Sequence, residues 1–205
     1  MRVSRIFYPG ELQEAATVLL DEKTSHYLLN VLRLRVHEPV ILFNGNGGEF
    51  DAELIAIKHR CAELQLKSFR CVATESPLTI HLMQALLRAD KMDYVLQKTV
   101  ELGVQKITPI FTEYSERRLQ EDRLDKRMQH WRNIIISACE QSGRVIIPEI
   151  ALPQSFDEAI KQVSSDLKLL LHPYASLKLS QLPQSALSLA LMIGPEGGFS
   201  EVEVA

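Results

Sequence analysis

Three short stretches gather the residue types that do chemistry. Ile193-Gly194-Pro195-Glu196-Gly197-Gly198 follows one apolar run, and Leu171-His172-Pro173 ends another. Glu140-Gln141-Ser142-Gly143-Arg144 sets a carboxylate and a guanidinium close together in sequence. A glycine-rich loop lets backbone N–H groups approach a ligand, and a helix beginning after it favours the ligand's negative groups. A tight strand-to-helix turn with no ligand explains the same glycines. The spacing is neither G-x-G-x-x-G nor G-x-x-x-x-G-K-[ST], which disfavours a dinucleotide and a P-loop phosphate. Glu101, Glu140 and Glu196 are acids or bases by type alone. Arg144, with Gln141 and Ser142, either meets a phosphate or a polar base or is a solvated surface arginine. His172 is either an edge histidine or a ligand contact.

Cations form a second set of candidates. Arg88, Lys91 and Lys98 lie before and along one helical stretch, with Lys91 and Lys98 seven apart on one face and Glu101 beside them. That face is either solvated, with a Lys98–Glu101 pair, or turned to nucleic acid. Arg117, Arg118, Arg123, Lys126, Arg127 and Arg132 interleave with acidic residues, as a mixed surface or a nucleic-acid contact. Arg2 and Arg5 flank a short β run. Arg33 and Arg35 alternate with Leu32 and Leu34, which predicts both arginines on one face of a strand. They either grip a nucleic-acid backbone or form the wet face of a sheet. His26 reads as structural and Trp131 as a packing residue.

These groups need elements to hold them. The 205 residues are 46% hydrophobic and 24% charged, enough for one large or two small cores. The net charge of −3 excludes a uniformly basic nucleic-acid binder but permits a local patch. Three scattered cysteines and six histidines without paired spacing indicate neither a disulfide framework nor a metal site. The first residues lack a secretory apolar core, and no run reaches the ~20 residues of a membrane helix. A soluble cytoplasmic protein is expected.

Before residue 75 the pattern is strand-like. "VILF" (40–43) runs through "NGNGG" into "EFDAEL" (49–54), and "CAELQLK" (61–67) alternates strictly. With a short helix near "SHYLLNVL" (25–32), this predicts a small β-barrel over 1–72 and a linker over 73–77. From 78 onward strands and helices alternate. "LTIHLMQAL" (78–86), "KITPIF" (106–111), "LKLLLHP" (167–173) and "LSLALMI" (187–193) read as strands of a parallel sheet, the last two buried on both faces. Helices are expected over 90–103, with Met92, Val95, Leu96, Thr99 and Leu102 inward, and over 123–141. Ser155 with Glu158, and Ser200 with Glu203, have capping-box spacing.

The segments "IGPEGGFS", "QKTVELGVQKITPIFTEYSERR", "ACEQSGRVIIPEI" and "LLLHP", preceded by "RIFY" and "HYLLNVLRLRVHEPVILFNGNGGEF", closely resemble the bacterial 16S ribosomal RNA uridine N3-methyltransferases of the RsmE type, which are SPOUT-class enzymes. The resemblance covers essentially the whole chain. It implies an α/β methyltransferase domain with a trefoil knot over 78–205, a PUA-like RNA-binding β-barrel before it, and a homodimer. It also implies S-adenosylmethionine as cofactor and a uridine of 16S ribosomal RNA in the small ribosomal subunit (uridine 1498 in the family's nomenclature) as target, with no membrane and no metal. On this basis Leu171, His172, Pro173 and Ile193, Gly194, Pro195, Glu196, Gly197, Gly198 bind the cofactor. Arg2, Arg5, Arg33, Arg35, Arg88, Lys91, Lys98, Arg117, Arg118, Gln141, Ser142 and Arg144 contact RNA, and Arg144 and Glu140 serve catalysis.

The family's third cofactor loop, of LGxRxLRxET type, has no counterpart here. The Ser200 capping box announces a helix with few residues left to build it. A C-terminally truncated domain with an incomplete knot and weak cofactor binding is therefore expected. A catalytically silent RNA-binding protein with a degraded methyltransferase domain is the alternative, and a nucleotide-binding α/β enzyme unrelated to RNA is a third.

Overall fold

The computed structural model describes residues 3–115, 121–183 and 185–205. The chain divides into two compact units. One is Met1–Glu75 with Cys139–Ile146, and the other is Ser76–Ala138 with Ile147–Ala205.

The first unit is built on a five-stranded sheet. Its strands are β1 (Ser4–Phe7), β2 (Thr17–Leu19), β3 (Pro39–Phe43), β4 (Glu49–Lys58) and β5 (Cys61–Arg70), in the order β1-β3-β4-β5-β2. β1 runs parallel to β3 and the other pairs are antiparallel. The alternation in β5 puts Ala62, Leu64 and Leu66 into a core with Ile6, Leu28, Val40, Leu42 and Leu54. The glycines of the β3–β4 connection take the left-handed conformation that an Asn-Gly turn needs.

The β4–β5 connection is different. Lys58 pairs with Cys61, so His59 and Arg60 alone make the turn, with φ of 49° and 69°. A two-residue turn of this hand favours Asn-Gly, and each side-chain-bearing residue held there costs about 1 kcal/mol.

The helix α1 (Glu22–His26) begins at Asp21, whose side chain accepts from the Thr24 N–H, and continues into a π-helical turn over Tyr27–Val31. Here the expected strand face of Arg33 and Arg35 is overturned. Leu34 N–H donates to the Leu28 carbonyl at 3.0 Å, and Arg33 takes a φ of 57°. The π turn thus ends in a left-handed closure that consumes the residues the alternation had assigned to a strand. Both arginines are exposed.

The second unit is a parallel sheet with helical crossovers. Its strands are β6 (Thr79–Ala85), β7 (Lys106–Phe111), β8 (Glu149–Ile150), β9 (Gln154–Ser155), β10 (Leu167–Leu170) and β11 (Ser188–Ile193). The order is β10-β11-β6-β7-β8, with β9 also paired to β7. All pairs are parallel, so the C-terminal ends of the strands share one edge. The helices are α2 (Ala89–Glu101), α3 (Glu121–Ser142), α4 (Phe156–Gln162) and α5 (Glu201–Val204).

Both capping boxes are present, at Ser155–Glu158 and at Ser200–Glu203. The second starts the turn of α5. In α2, Met92, Leu96 and Val100 are buried, whereas Leu102 is 78% exposed. The helix stops at Glu101, and Gly103 (φ 95°) turns the chain away before Leu102 reaches the core. Met128, Trp131, Ile135 and Ala138 of α3 are buried, at the spacing of one helical face. β10 is an edge strand and only partly buried, which corrects the expectation of burial on both faces. β11, inside the sheet, buries Ala190 and Met192.

Candidate functional site

The C-terminal edge of the parallel sheet collects the loops after β6, β7, β10 and β11. The β11 loop is the most constrained. Gly198 N–H donates to the Pro195 carbonyl at 2.9 Å, and Gly198 lies at φ 76°, where a side chain is strained. A Cβ on Gly194 would lie 3.1 Å from the Phe199 ring, and one on Gly197 would lie 3.0 Å from the Tyr114 Cβ. Phe199 is itself buried and stacks at a tilt on Phe156. The loop therefore presents backbone where side chains would not fit.

Neighbouring loops lock it in place. Ser200 N–H donates to Glu203 Oε2 at 2.8 Å, while Glu203 Oε1 accepts from the Glu113 N–H of the β7 loop at 2.9 Å. One carboxylate thereby ties two ligand-edge loops together. Sequence alone shows the cap but not the second bond. From β6, the buried Gln84 donates Nε2 to the Ala85 carbonyl and reaches the Ile193 carbonyl at 3.4 Å. Its signal in the sequence is a lone amide inside an apolar run.

Lys91 of α2 pairs with Glu196 at 2.9 Å. The hydrogen bond from Lys91 holds the Glu196 carboxyl below the usual range, so it stays ionised. Arg88 is exposed at the start of the same helix. Lys98 pairs with Glu101 at 2.8 Å, as its spacing suggested. A cleft of about 420 Å³ opens beside β10, lined by Leu169, Leu171, His172, Pro173, Leu177 and Lys178 among others. His172 Nδ1 accepts from the Tyr174 N–H, which orients the ring.

The remaining candidates lie in the first unit or outside the described residues. Arg2, Arg117 and Arg118 fall outside them. Arg5 is not a wet-face residue. Its guanidinium pairs with the buried Glu49 at 2.8 Å, donates to the Arg144 carbonyl and lies 5.1 Å from the Phe43 ring centre. Arg144 is not a solvated arginine either. It is 4% exposed, and its Nε lies 3.1 and 3.2 Å from the two oxygens of Glu75. Gln141 and Ser142 are exposed. The pull of the half-buried Glu75 carboxylate on this guanidinium is invisible in the sequence, because Glu75 is 69 positions away.

Glu140 accepts from the Phe7 N–H at 3.0 Å. Burial raises its carboxyl pKa, against the opposing pull of that hydrogen bond and of Arg5. The unfolded chain therefore releases this proton first. Glu140's contribution to stability is full below the unfolded value near 4.5 and falls as pH rises through the folded value. Glu140→Gln will flatten this part of the stability profile from about pH 4.5 upward, as read by denaturant titrations at each pH. An unchanged slope would refute it.

A parallel-sheet unit with a glycine cradle on its ligand edge, following a small β unit, defines a two-part α/β ligand-binding protein. Residues 74–205 match the RNA methyltransferase domain family, and residues 20–67 match the RNA methyltransferase PUA domain. The chain belongs to this RNA methyltransferase family. It is 35% identical over 204 residues to the ribosomal RNA small subunit methyltransferase E of Buchnera aphidicola subsp. Schizaphis graminum, covering 99% of this chain and 83% of that one. Among solved structures, a putative methyltransferase of Legionella pneumophila in complex with its bound cofactor SAM is 40% identical, with a TM-score of 0.95 over 100% of this chain and 84% of that one. The ribosomal RNA small subunit methyltransferase E of Neisseria gonorrhoeae, bound to S-adenosyl methionine, is 36% identical with a TM-score of 0.93, over 99% and 84%.

Proposed function

We propose that the chain is an S-adenosylmethionine-dependent methyltransferase of the SPOUT class. On this reading it methylates N3 of a uridine in 16S ribosomal RNA, uridine 1498 in the family's nomenclature. It acts on the small ribosomal subunit, as a homodimer in the cytoplasm. One observation carries this reading: a PUA segment followed by a methyltransferase segment, whose sheet edge presents a backbone cradle, in a chain that matches 84% of the length of cofactor-bound relatives.

The residues present suit that cofactor. The cradle at Gly194, Gly197 and Gly198 offers backbone rather than side chains. The neighbouring cleft is mostly aliphatic, with Lys178 the one full cation lining it among the described residues, which fits a nucleoside better than a polyphosphate. Leu171, His172, Pro173 and the stretch Ile193–Gly198 would hold it. When bound, it supplies an electrophilic methyl group on a sulfonium. The ionised Glu196 favours a positively charged ligand nearby.

Uridine N3 lies on the Watson–Crick edge, so the base must be unpaired or flipped out to be reached. Its proton must leave to a carboxylate or to water. Cations such as Arg88 stabilise the charge that then develops on the uracil oxygens.

The test is methyl transfer from labelled S-adenosylmethionine to small subunits lacking the modification, mapped by reverse transcription. An N3 methyl blocks base pairing, so the expected result is a new stop at one uridine. RNA binding without transfer would leave the silent RNA-binding protein as the surviving reading.

A further inference from the structure

The first unit holds a cleft of about 810 Å³, lined by Glu22, Lys23, His26, Asn30, Leu34 and Arg60, with Leu29 and Ile57 adding apolar surface. We propose that this cleft is an RNA-binding site, in which Lys23 and Arg60 meet the phosphate backbone and the apolar floor receives a sugar or base. It rests on the reading of the chain as a ribosomal RNA enzyme and names where its first unit grips that RNA. All the lining residues fall within the segment that matches the PUA domain.

Two independent features single it out. The first is how the cations of this unit divide. Arg5 and Arg70 share Glu49, Lys58 pairs with Glu63, Lys67 with Glu53, and Arg144 with Glu75. Lys23, Arg33, Arg35 and Arg60 have no carboxylate partner among the described residues. Two of these four line the cleft, and Leu34 between the other two lines it as well. Unpaired cations around a concave, partly apolar surface complement a polyanion carrying bases.

The second feature is the turn that displays Arg60. His59 and Arg60 occupy a left-handed two-residue turn that Asn-Gly would make without strain. A strained turn that holds an imidazole and a guanidinium, where glycine would fold better, points to a use for the side chains. Ile57, 51% exposed on the strand leading into that turn, adds apolar surface that the fold leaves uncovered.

The turn supplies its own test. H59N/R60G keeps the hairpin, removes its strain and deletes its charge, while Lys23→Gln removes the second cation. Binding of a fluorescent single-stranded RNA oligonucleotide and of small ribosomal subunits is measured by titration from 50 to 300 mM salt. Thermal melting and S-adenosylmethionine binding serve as controls.

The expected result for H59N/R60G is an equal or higher Tm, roughly fourfold weaker RNA binding at 0.15 M salt, and a salt slope shallower by about 0.7. Lys23→Gln should do the same, and the two effects should multiply. Unchanged RNA affinity in both variants, with wild-type methyl transfer intact, overturns this site and leaves the enzyme reading standing. Loss of subunit binding with RNA affinity unchanged also overturns it, because the face would then dock a protein. A wild-type protein that neither binds RNA nor transfers methyl defeats both readings.

Discussion

Gly194→Val will lower the methyl-transfer rate by about 100-fold while leaving the fold intact. A Cβ at this position meets two carbons of the Phe199 ring at 3.1 and 3.2 Å and the Gly198 carbonyl carbon at 3.3 Å. Valine adds two methyls beyond that Cβ. Phe199 cannot swing aside, because it is buried against Phe156. The loop itself must move, and a displacement of ~1 Å in a cofactor cradle costs on the order of 100-fold in rate. Gly194→Ala, with its single Cβ, should cost about tenfold less. Calorimetric titration with S-adenosylmethionine and single-turnover transfer measure both. A valine variant with wild-type turnover would remove this loop from the cofactor site.

Arg144→Ala will destabilise the protein by about 3 kcal/mol, read as a fall of roughly 10 °C in Tm. The substitution leaves the Glu75 carboxylate without the guanidinium that now meets both of its oxygens. The lower end of the range for a broken buried pair applies, since the Glu75 side chain keeps 25% exposure. Removing both partners tests the cause. Arg144→Met with Glu75→Leu should recover most of the lost stability, because no charge is then stranded. If activity returns with stability, Arg144 acts through the fold. A stable double variant that stays inactive would make Arg144 an RNA or catalytic contact.

Local patterns carried much of the fold. The alternation in β5, the Asn-Gly turns between β3 and β4, the capping boxes at Ser155 and Ser200, and the apolar run of β11 each depend on residues a few positions apart. Sequence order also sufficed to recognise the glycine loop after β11 and the family resemblance. Where local pattern misled, a closure took over. The alternation around Arg33 is real in the sequence, but a π turn ends there and its carbonyls need a partner, which the Leu34 N–H supplies. Leu102 has the right helical phase, yet the helix ends one residue earlier.

What the sequence by itself determined was the kind of protein: its strands, its helices, the glycine loop and the family. What only the tertiary structure decided was which charges are available. Arg5, Arg144, Lys23 and Arg60 all read simply as cations in the sequence. The first two are taken up by Glu49 and Glu75, carboxylates 44 and 69 positions away, and the last two line a cleft and have no ion-paired carboxylate among the described residues. A cation's function depends on whether a carboxylate lies within about 4 Å, and that distance is set by chain folding rather than by spacing along the chain.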